Sequence, residues 1–317
     1  MITEGQDINA RSSTAGHIMS VDVEDYFMVE AFAGSVPRNS WNAWPSRVVA
    51  STKRVLDLFD KYNTKATFFF VGWVAHRHPE LVREVAARGH ELACHSFWHR
   101  TVYSLTPEEF REDTRAAVNA IEDAAGVKVQ GYRAPSWSIT KTCLWALDIL
   151  AEQGFTYDSS IFPIHHDLYG VAGAARFPYT LQCGSDAVLK EYPPATVRIL
   201  GQNFPGAGGG YLRILPMAYT HWLFRKFEQD YHERVVVYVH PWELDPEQPR
   251  IKDKIKSKIR HYTNLRVAEA RLAELLVEYA FQSFQQCMAN TISSEEDCEQ
   301  HGGVDCAERR LVGGSSI

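Results

Sequence analysis

Between about residues 17 and 158 short β-rich runs alternate with amphipathic stretches, and this alternation limits the fold more than any single motif. His17 to Val23 (HIMSVDV) reads as a strand, Trp44 to Tyr62 as a helix, and Ala66 to Val71 (ATFFFV) as a second strand. Pro79 to Arg88 reads as a helix closed by Gly89, and Glu91 to Ala93 opens a third strand. Thr106-Pro107-Glu108-Glu109 supplies an N-cap, a proline at the first helical position and a glutamate three residues past the cap, so a helix starts there and ends at Gly126. Val127 to Tyr132 predicts a strand, Lys141 to Gln153 a helix stopped by Gly154, and Phe155 to Asp158 another short strand. Helices between successive strands let those strands run parallel, so the pattern predicts an α/β fold, either a parallel sheet or a barrel.

Residues 163 to 216 break the rhythm with many Gly and Pro, including Gly206-Ala207-Gly208-Gly209-Gly210-Tyr211, and predict an insertion of short irregular strands that caps a substrate site. A helix around Ala218 to Gln229, an apolar strand Val235 to Val239 and a helix Leu265 to Phe281 follow. In that last helix Leu272, Leu275, Leu276 and Tyr279 share a face and are read as core. The resulting organisation is a flexible N-terminus over 1–16, one domain over 17–284, and a polar, loosely ordered tail over 285–317.

A chain of 317 residues with 45% hydrophobic content can bury a large core. Its net charge of -6, with Lys and Arg read as scattered, implies no nucleic-acid partner. The polar start and the lack of any run near the roughly 20 apolar residues of a membrane span lead to the expectation of a soluble, cytoplasmic protein. Cys94, Cys143, Cys183, Cys287, Cys298 and Cys306 are widely spread, which points to reduced thiols rather than a disulfide framework.

The strand ends hold the chemistry. His95 and His99 lie four residues apart after one apolar run, and Asp22-Val23-Glu24-Asp25 ends another. Each alone has an ordinary reading, the histidines as a chance pair and the acids as helix caps. Together, two imidazoles and one carboxylate make a divalent-metal site with positions open for water and substrate, as hydrolysis requires. Alternate strand residues share a face, which would point Glu24 with Asp22 unless the strand has already ended, so Glu24 and Asp25 are both candidates for the carboxylate ligand. Arg133 and His240 stand at two further strand ends, where parallel α/β folds place their reactive groups.

In order, Asp22 to Asp25, His95-Ser96-Phe97-Trp98-His99, Arg133-Ala134-Pro135, Asp158-Ser159-Ser160 and Tyr238-Val239-His240 resemble the motifs of the polysaccharide deacetylases, the NodB-homology or carbohydrate esterase family 4 group. Further segments, Asp22 to Phe27, Gly209 to Pro216, His240 to Glu243 and His261-Tyr262 with Leu265, resemble the subgroup of bacterial exopolysaccharide loci associated with exosortase (PEP-CTERM) sorting. The resemblance implies a distorted (β/α) barrel with a subgroup insertion and C-terminal extension. It implies an enzyme that removes N-acetyl groups from amino-sugar units of a polysaccharide, or of its lipid-linked precursor at the inner membrane surface.

In that scheme Zn²⁺ or another divalent ion sits on His95, His99 and either Glu24 or Asp25. Asp22 is the base, Arg133 holds it ionised and oriented, and His240 is the general acid. Ser136 and Trp137 stand where the family has an aromatic whose backbone N–H assists the oxyanion. Tyr238 replaces the leucine that lines the acetyl-methyl pocket, and Trp242 flanks the late histidine as a sugar-stacking candidate. Competing readings are an amidohydrolase acting on a small cyclic amide, a glycosidase built on Asp22 and Glu243, and a non-catalytic carbohydrate-binding relative.

Overall fold

The computed structural model describes residues 16–291 apart from 167–168 and 185–186. β1 (His17–Val23), β2 (Thr67–Phe70), β3 (Glu91–Cys94), β4 (Gly131–Tyr132) and β5 (Tyr157–Asp158) lie side by side in chain order, all parallel. The hairpin of β6 (Tyr179–Cys183) and β7 (Ala187–Glu191) extends that sheet, with β7 parallel to β5. β8 (Thr196–Ile199) and β9 (Gln202–Pro205) form a separate hairpin. β10 (Val236–Val239) pairs with β1 on its other side, and β11 (Phe281–Gln282) pairs with the start of β1. This is the expected distorted (β/α) barrel.

The strand residues explain the layers. On β1, Met19, Val21 and Val23 enter the main core under the helices, while Ser20 and Asp22 turn to the inner face, where Arg133 lies. β2 divides in the same way, Phe68 and Phe70 outward and Phe69 inward. Each of these fully buried rings contributes roughly 1.5–3 kcal/mol by leaving water. The outer layer begins with α1 (Val48–Lys61), α2 (Gly72–Arg77), α3 (Pro79–Ala87), α4 (Pro107–Ala125) and α5 (Trp145–Glu152). α4 starts at the predicted capping box, Thr106 and Glu109 bonding each other's backbone N–H, and ends at Gly126 in the left-handed region (φ 68°). α6 (Gly209–Ile214), α7 (Met217–Lys226), α8 (Ile255–Tyr262) and α9 (Leu265–Glu278) complete the helices with assigned ranges.

Several expectations need correction. The helix predicted from Trp44 begins at Val48, because the N–H groups of Arg47 and Val48 donate to the Asp25 carboxylate and fix the start there. Of the strand predicted over 127–132 only Gly131 and Tyr132 pair, and Gly131 is required, since a Cβ there would lie 2.0 Å from the Tyr157 ring. The segment 163–216 is not wholly an insertion, because β7 belongs to the main sheet. α9 stops at Glu278 rather than Phe281, and Phe281 and Gln282 form a strand.

The tail does not become loosely ordered at 285. Residues 284–291 are helical, and buried Phe284 and Cys287 pack with Ile18, Phe69 and Tyr157 on the inner face at the strands' N-terminal ends. The N–H groups of Phe284 and Gln285 donate to Thr67 Oγ1 and Glu91 Oε2. The rest of the predicted tail, 292–317, and the predicted flexible segment 1–15 lie outside the described residues. Cys94, Cys143, Cys183 and Cys287 are free and buried, while Cys298 and Cys306 lie outside the described residues.

Candidate active site

The C-terminal ends of β1, β3, β4 and β10 converge on a cavity of about 430 Å³. Asp22, Glu24, His95, His99, Ser136, Trp137, Tyr238, His240 and Trp242 all line it. Asp25 does not. Its carboxylate accepts from the N–H groups of Tyr26, Arg47 and Val48 and from Ser46 Oγ, at 2.6–3.2 Å, so it caps α1 on the far side of the chain. The strand ends at Val23 with the Glu24 N–H bonded back to the Asp22 carbonyl, and that turn sends consecutive carboxylates in opposite directions.

Glu24, His95 and His99 each offer one ligand atom, and the three atoms lie within 4.8 Å of one another. His95 Nδ1 lies 2.7 Å from the Arg133 carbonyl oxygen, which can only accept, so Nδ1 carries the proton and Nε2 presents a lone pair. His99 Nε2 approaches Glu24 Oε2 to 2.7 Å. Oε2 is buried and has no hydrogen bond of normal geometry. Oε1 accepts from the Trp242 indole N–H at 3.0 Å. Burial alone would raise the Glu24 carboxyl, but the imidazoles of His99, His240 and His95 outweigh it and hold the group well below the usual carboxylate range. Burial pushes the His95 imidazole down to about 4, which keeps it neutral. A buried, ionised carboxylate with a spare oxygen facing two imidazoles fits a divalent cation.

Asp22 is held from behind. Arg133 Nη1 donates to Asp22 Oδ1 at 2.7 Å and to Ser20 Oγ at 2.8 Å, and its other donors reach the Ser159 carbonyl and hydroxyl. The contact with Asp22 is therefore through one nitrogen rather than bidentate. The guanidinium also lies 4.2 Å from the Phe69 ring centre, so a fully buried cation meets both a charge partner and an aromatic face. Asp22 Oδ2 is left facing His240 Nε2 at 3.8 Å.

His240 is oriented by a chain of groups whose origin the sequence reading missed. Its Nδ1 lies 3.1 Å from Glu243 Oε2, which also accepts the His240 backbone N–H. Glu243 Oε1 accepts from Arg213 Nε at 2.6 Å, and Arg213, 2% exposed, donates further to the Thr263 carbonyl. Burial lowers the His240 imidazole, but the Glu243 carboxylate, helped by Glu24 and Asp22, outweighs it and raises it to about 9. The signal for Arg213 was indirect. A carboxylate buried three residues after a strand-end histidine requires a cation, and Gly209 to Pro216 holds only one.

Asp113 on α4 was also missed. It accepts from Ser96 Oγ (2.6 Å), Phe97 N (2.7 Å) and Trp98 N (3.3 Å), and so shapes the loop between the two histidines. That loop is strained, with Ser96 at φ 65° and His99 at φ 49°, and the turn after Arg133 repeats the feature at Ser136 (54°) and Trp137 (48°).

Tyr238 packs its ring 4.3 Å from that of Trp137 and fills space that Gly208 and Gly209 leave open. A Cβ on Gly208 would lie 2.3 Å from the Tyr238 carbonyl oxygen, and one on Gly209 2.5 Å from its ring. Trp242 stacks on His261 (4.1 Å) and donates its N–H to Glu24, so it holds a candidate ligand in place as well as lining the cavity.

Residues 41–157 match the sequence profile described as polysaccharide deacetylase, and residues 159–289 match that of a domain of unknown function, DUF3473. The bifunctional xylanase/deacetylase of Pseudobutyrivibrio xylanivorans is 35% identical over 33% of this chain and 18% of its own length. The peptidoglycan deacetylase of Helicobacter pylori is 27% identical over 53% of this chain and 50% of its own. The chain thus spans half or less of these relatives. A Mycobacterium smegmatis structure assigned as a polysaccharide deacetylase shares the fold at TM-score 0.56 and 23% identity, covering 90% of this chain and 93% of the other. Over residues 41–157 the chain is thus similar in sequence to the polysaccharide deacetylases, and over 90% of its length it shares the fold of the Mycobacterium smegmatis structure.

Proposed function

We propose that this chain is a metal-dependent hydrolase that removes N-acetyl groups from amino-sugar units of a polysaccharide or its lipid-linked precursor, in bacterial exopolysaccharide synthesis and on the cytoplasmic side of the membrane. The observation that carries the reading is the meeting of three assemblies in one cavity. These are the ligand set Glu24, His95 and His99, the Arg133-oriented Asp22, and the Glu243-oriented His240. A divalent ion, Zn²⁺ in this reading, supplies Lewis-acid polarisation of the acetyl carbonyl when held by the ligand set.

The remaining work falls to the chain's own groups. Asp22 Oδ2, the carboxylate oxygen not bonded to Arg133, takes the proton from the attacking water. His240 enters protonated, because its raised affinity keeps the imidazolium populated at neutral pH, and Nε2 delivers that proton to the departing sugar amine. Glu243 and Arg213 keep Nδ1 engaged, so Nε2 alone faces the cavity. Trp137 and Tyr238 close one wall with apolar surface suited to an acetyl methyl group and a sugar face.

The test is to load the purified chain with Zn²⁺, incubate it with N-acetylglucosamine oligomers and with N-acetylated lipid-linked sugars, and follow free amine and acetate together. Equal appearance of both supports the reading. A metal-loaded, folded chain that releases neither from either substrate class overturns it.

A further inference from the structure

The scattering of cations expected from the whole sequence fails at one place. Arg250, Lys252, Lys254, Lys256, Lys258 and Arg260 put six cations in eleven residues against one acid, Asp253, in a chain of net charge -6. All six are exposed. None of Lys252, Lys254, Lys256, Lys258 or Arg260 joins an ion pair among the described residues. Asp253 is turned to Ser35 Oγ and its neighbour's N–H, which leaves the charge of the segment uncompensated.

α8 adds apolar surface where the charge is densest. Ile255 and Ile259 are 71% and 60% exposed and sit one turn apart. At 100° per residue, Lys258 flanks that pair on one side and Lys256 and Arg260 on the other. The opposite face is anchored by His261, buried between Phe32 and Trp242. Single exposed isoleucines are ordinary, but an outward pair between rows of unpaired cations is the pattern of a helix lying in a lipid headgroup layer. The segment also borders the active site, since Arg260 and His261 line the cavity with Ile214, itself 48% exposed.

We propose that α8 and the residues leading into it form a docking surface for an anionic phospholipid bilayer. Ile255 and Ile259 enter the headgroup level, and Lys254, Lys256 and Lys258 lie against the lipid phosphates, their stems along the apolar face and their ammonium groups in the phosphate layer. The surface proposed is one that lies on the bilayer, and no helix among the described residues is long and apolar enough to cross a membrane. A soluble polyanion would engage the lysines but give no role to the isoleucine pair, so the bilayer is the better fit. The surface stands independently of the reaction assigned to the cavity. Its consequence, a pocket mouth held beside lipid-borne substrate, rests on the deacetylase reading.

Sedimentation of the full chain with vesicles tests the proposal, using phosphatidylcholine alone and phosphatidylcholine mixed with phosphatidylglycerol. Binding is expected only to the mixed vesicles and should fall as salt is raised. Lys254→Glu with Lys258→Glu should weaken it by about tenfold or more, and Ile255→Asp with Ile259→Asp should weaken it comparably. Both variants change exposed side chains outside the cavity and should release acetate from a soluble acetylated oligomer at the parent rate, which separates failure here from failure of the proposed reaction. Absence of binding to mixed vesicles overturns the proposal. So does binding that the isoleucine variant leaves intact, or a preference for soluble polyglucuronate over mixed vesicles, which would make the segment a polyanion site.

Discussion

At the scale of single residues, Glu24 and Asp25 are adjacent carboxylates with separate duties. Glu24 keeps an oxygen free of hydrogen bonds in front of two imidazoles, whereas Asp25 spends both oxygens on the entry to α1. Glu24→Gln should therefore abolish stoichiometric metal binding in a folded protein. Asp25→Ala should retain metal and lose about 1–2 kcal/mol of stability, through the N–H groups left without a cap. Metal content by mass spectrometry and urea midpoints measure both, and loss of metal in Asp25→Ala would contradict the division. Arg133→Lys should fail to restore activity although charge is conserved, because one ammonium group cannot serve Asp22, Ser20 and Ser159 at their observed positions.

At the scale of elements, the polar loop after β3 is shaped from outside the sheet. Asp113 on α4 satisfies three donors of the loop and holds Ser96 in a left-handed conformation. Asp113→Ala should cost about 2–3 kcal/mol and weaken metal affinity by roughly 10- to 100-fold, since His99 is no longer held in place. Calorimetric titration of metal checks it, and unchanged affinity would show that the loop is set elsewhere. Much of this architecture was legible in the residues. Periodicity and caps marked α4 and β1, and strand-end polar residues marked Asp22, His95, His99, Arg133 and His240. What was not legible depends on non-local partners. Asp113 and Arg213 look like ordinary helix and loop residues until folding sets them against Ser96 and Glu243. The choice between Glu24 and Asp25 turned on the turn that follows β1, which alternation does not encode. The terminal helix over 284–291 lacked a visible hydrophobic face because its contact with the core is narrow, Phe284 and Cys287 being buried and Met288 packing partly buried beside them.

At the scale of the whole molecule, the barrel's inner face stores charge as well as apolar surface. Asp158 and Glu191 are register partners on β5 and β7, both buried. Burial pushes Asp158 up to about 6, and burial with the facing Asp158 charge raises Glu191 further, so the folded pair retains a proton that the unfolded chain releases near the ordinary carboxylate value of about 4. Folded affinity for the proton exceeds unfolded affinity. The pair's contribution is therefore complete below about pH 4 and falls as pH rises, the Asp158 share through about 6 and the Glu191 share at higher pH. Glu191→Gln removes one titrating group, so the stability of the parent relative to this variant should fall as pH rises from about 5 to 8. Urea denaturation across that range measures the difference, and a constant or rising difference would contradict it.

The same inner face carries Ser20 and Arg133, which aim Asp22 into the cavity, so fold and chemistry meet at one carboxylate. The most direct measurement is acetate release from an N-acetylglucosamine oligomer by parent and Asp22→Asn proteins loaded with equal metal. The expected result is equal metal occupancy with turnover in the variant lowered by about 10²- to 10⁴-fold, the usual contribution of a positioned base. Acetate release by the variant at the parent rate, with metal equally bound, would contradict the assignment of Asp22 and with it the proposed hydrolytic mechanism.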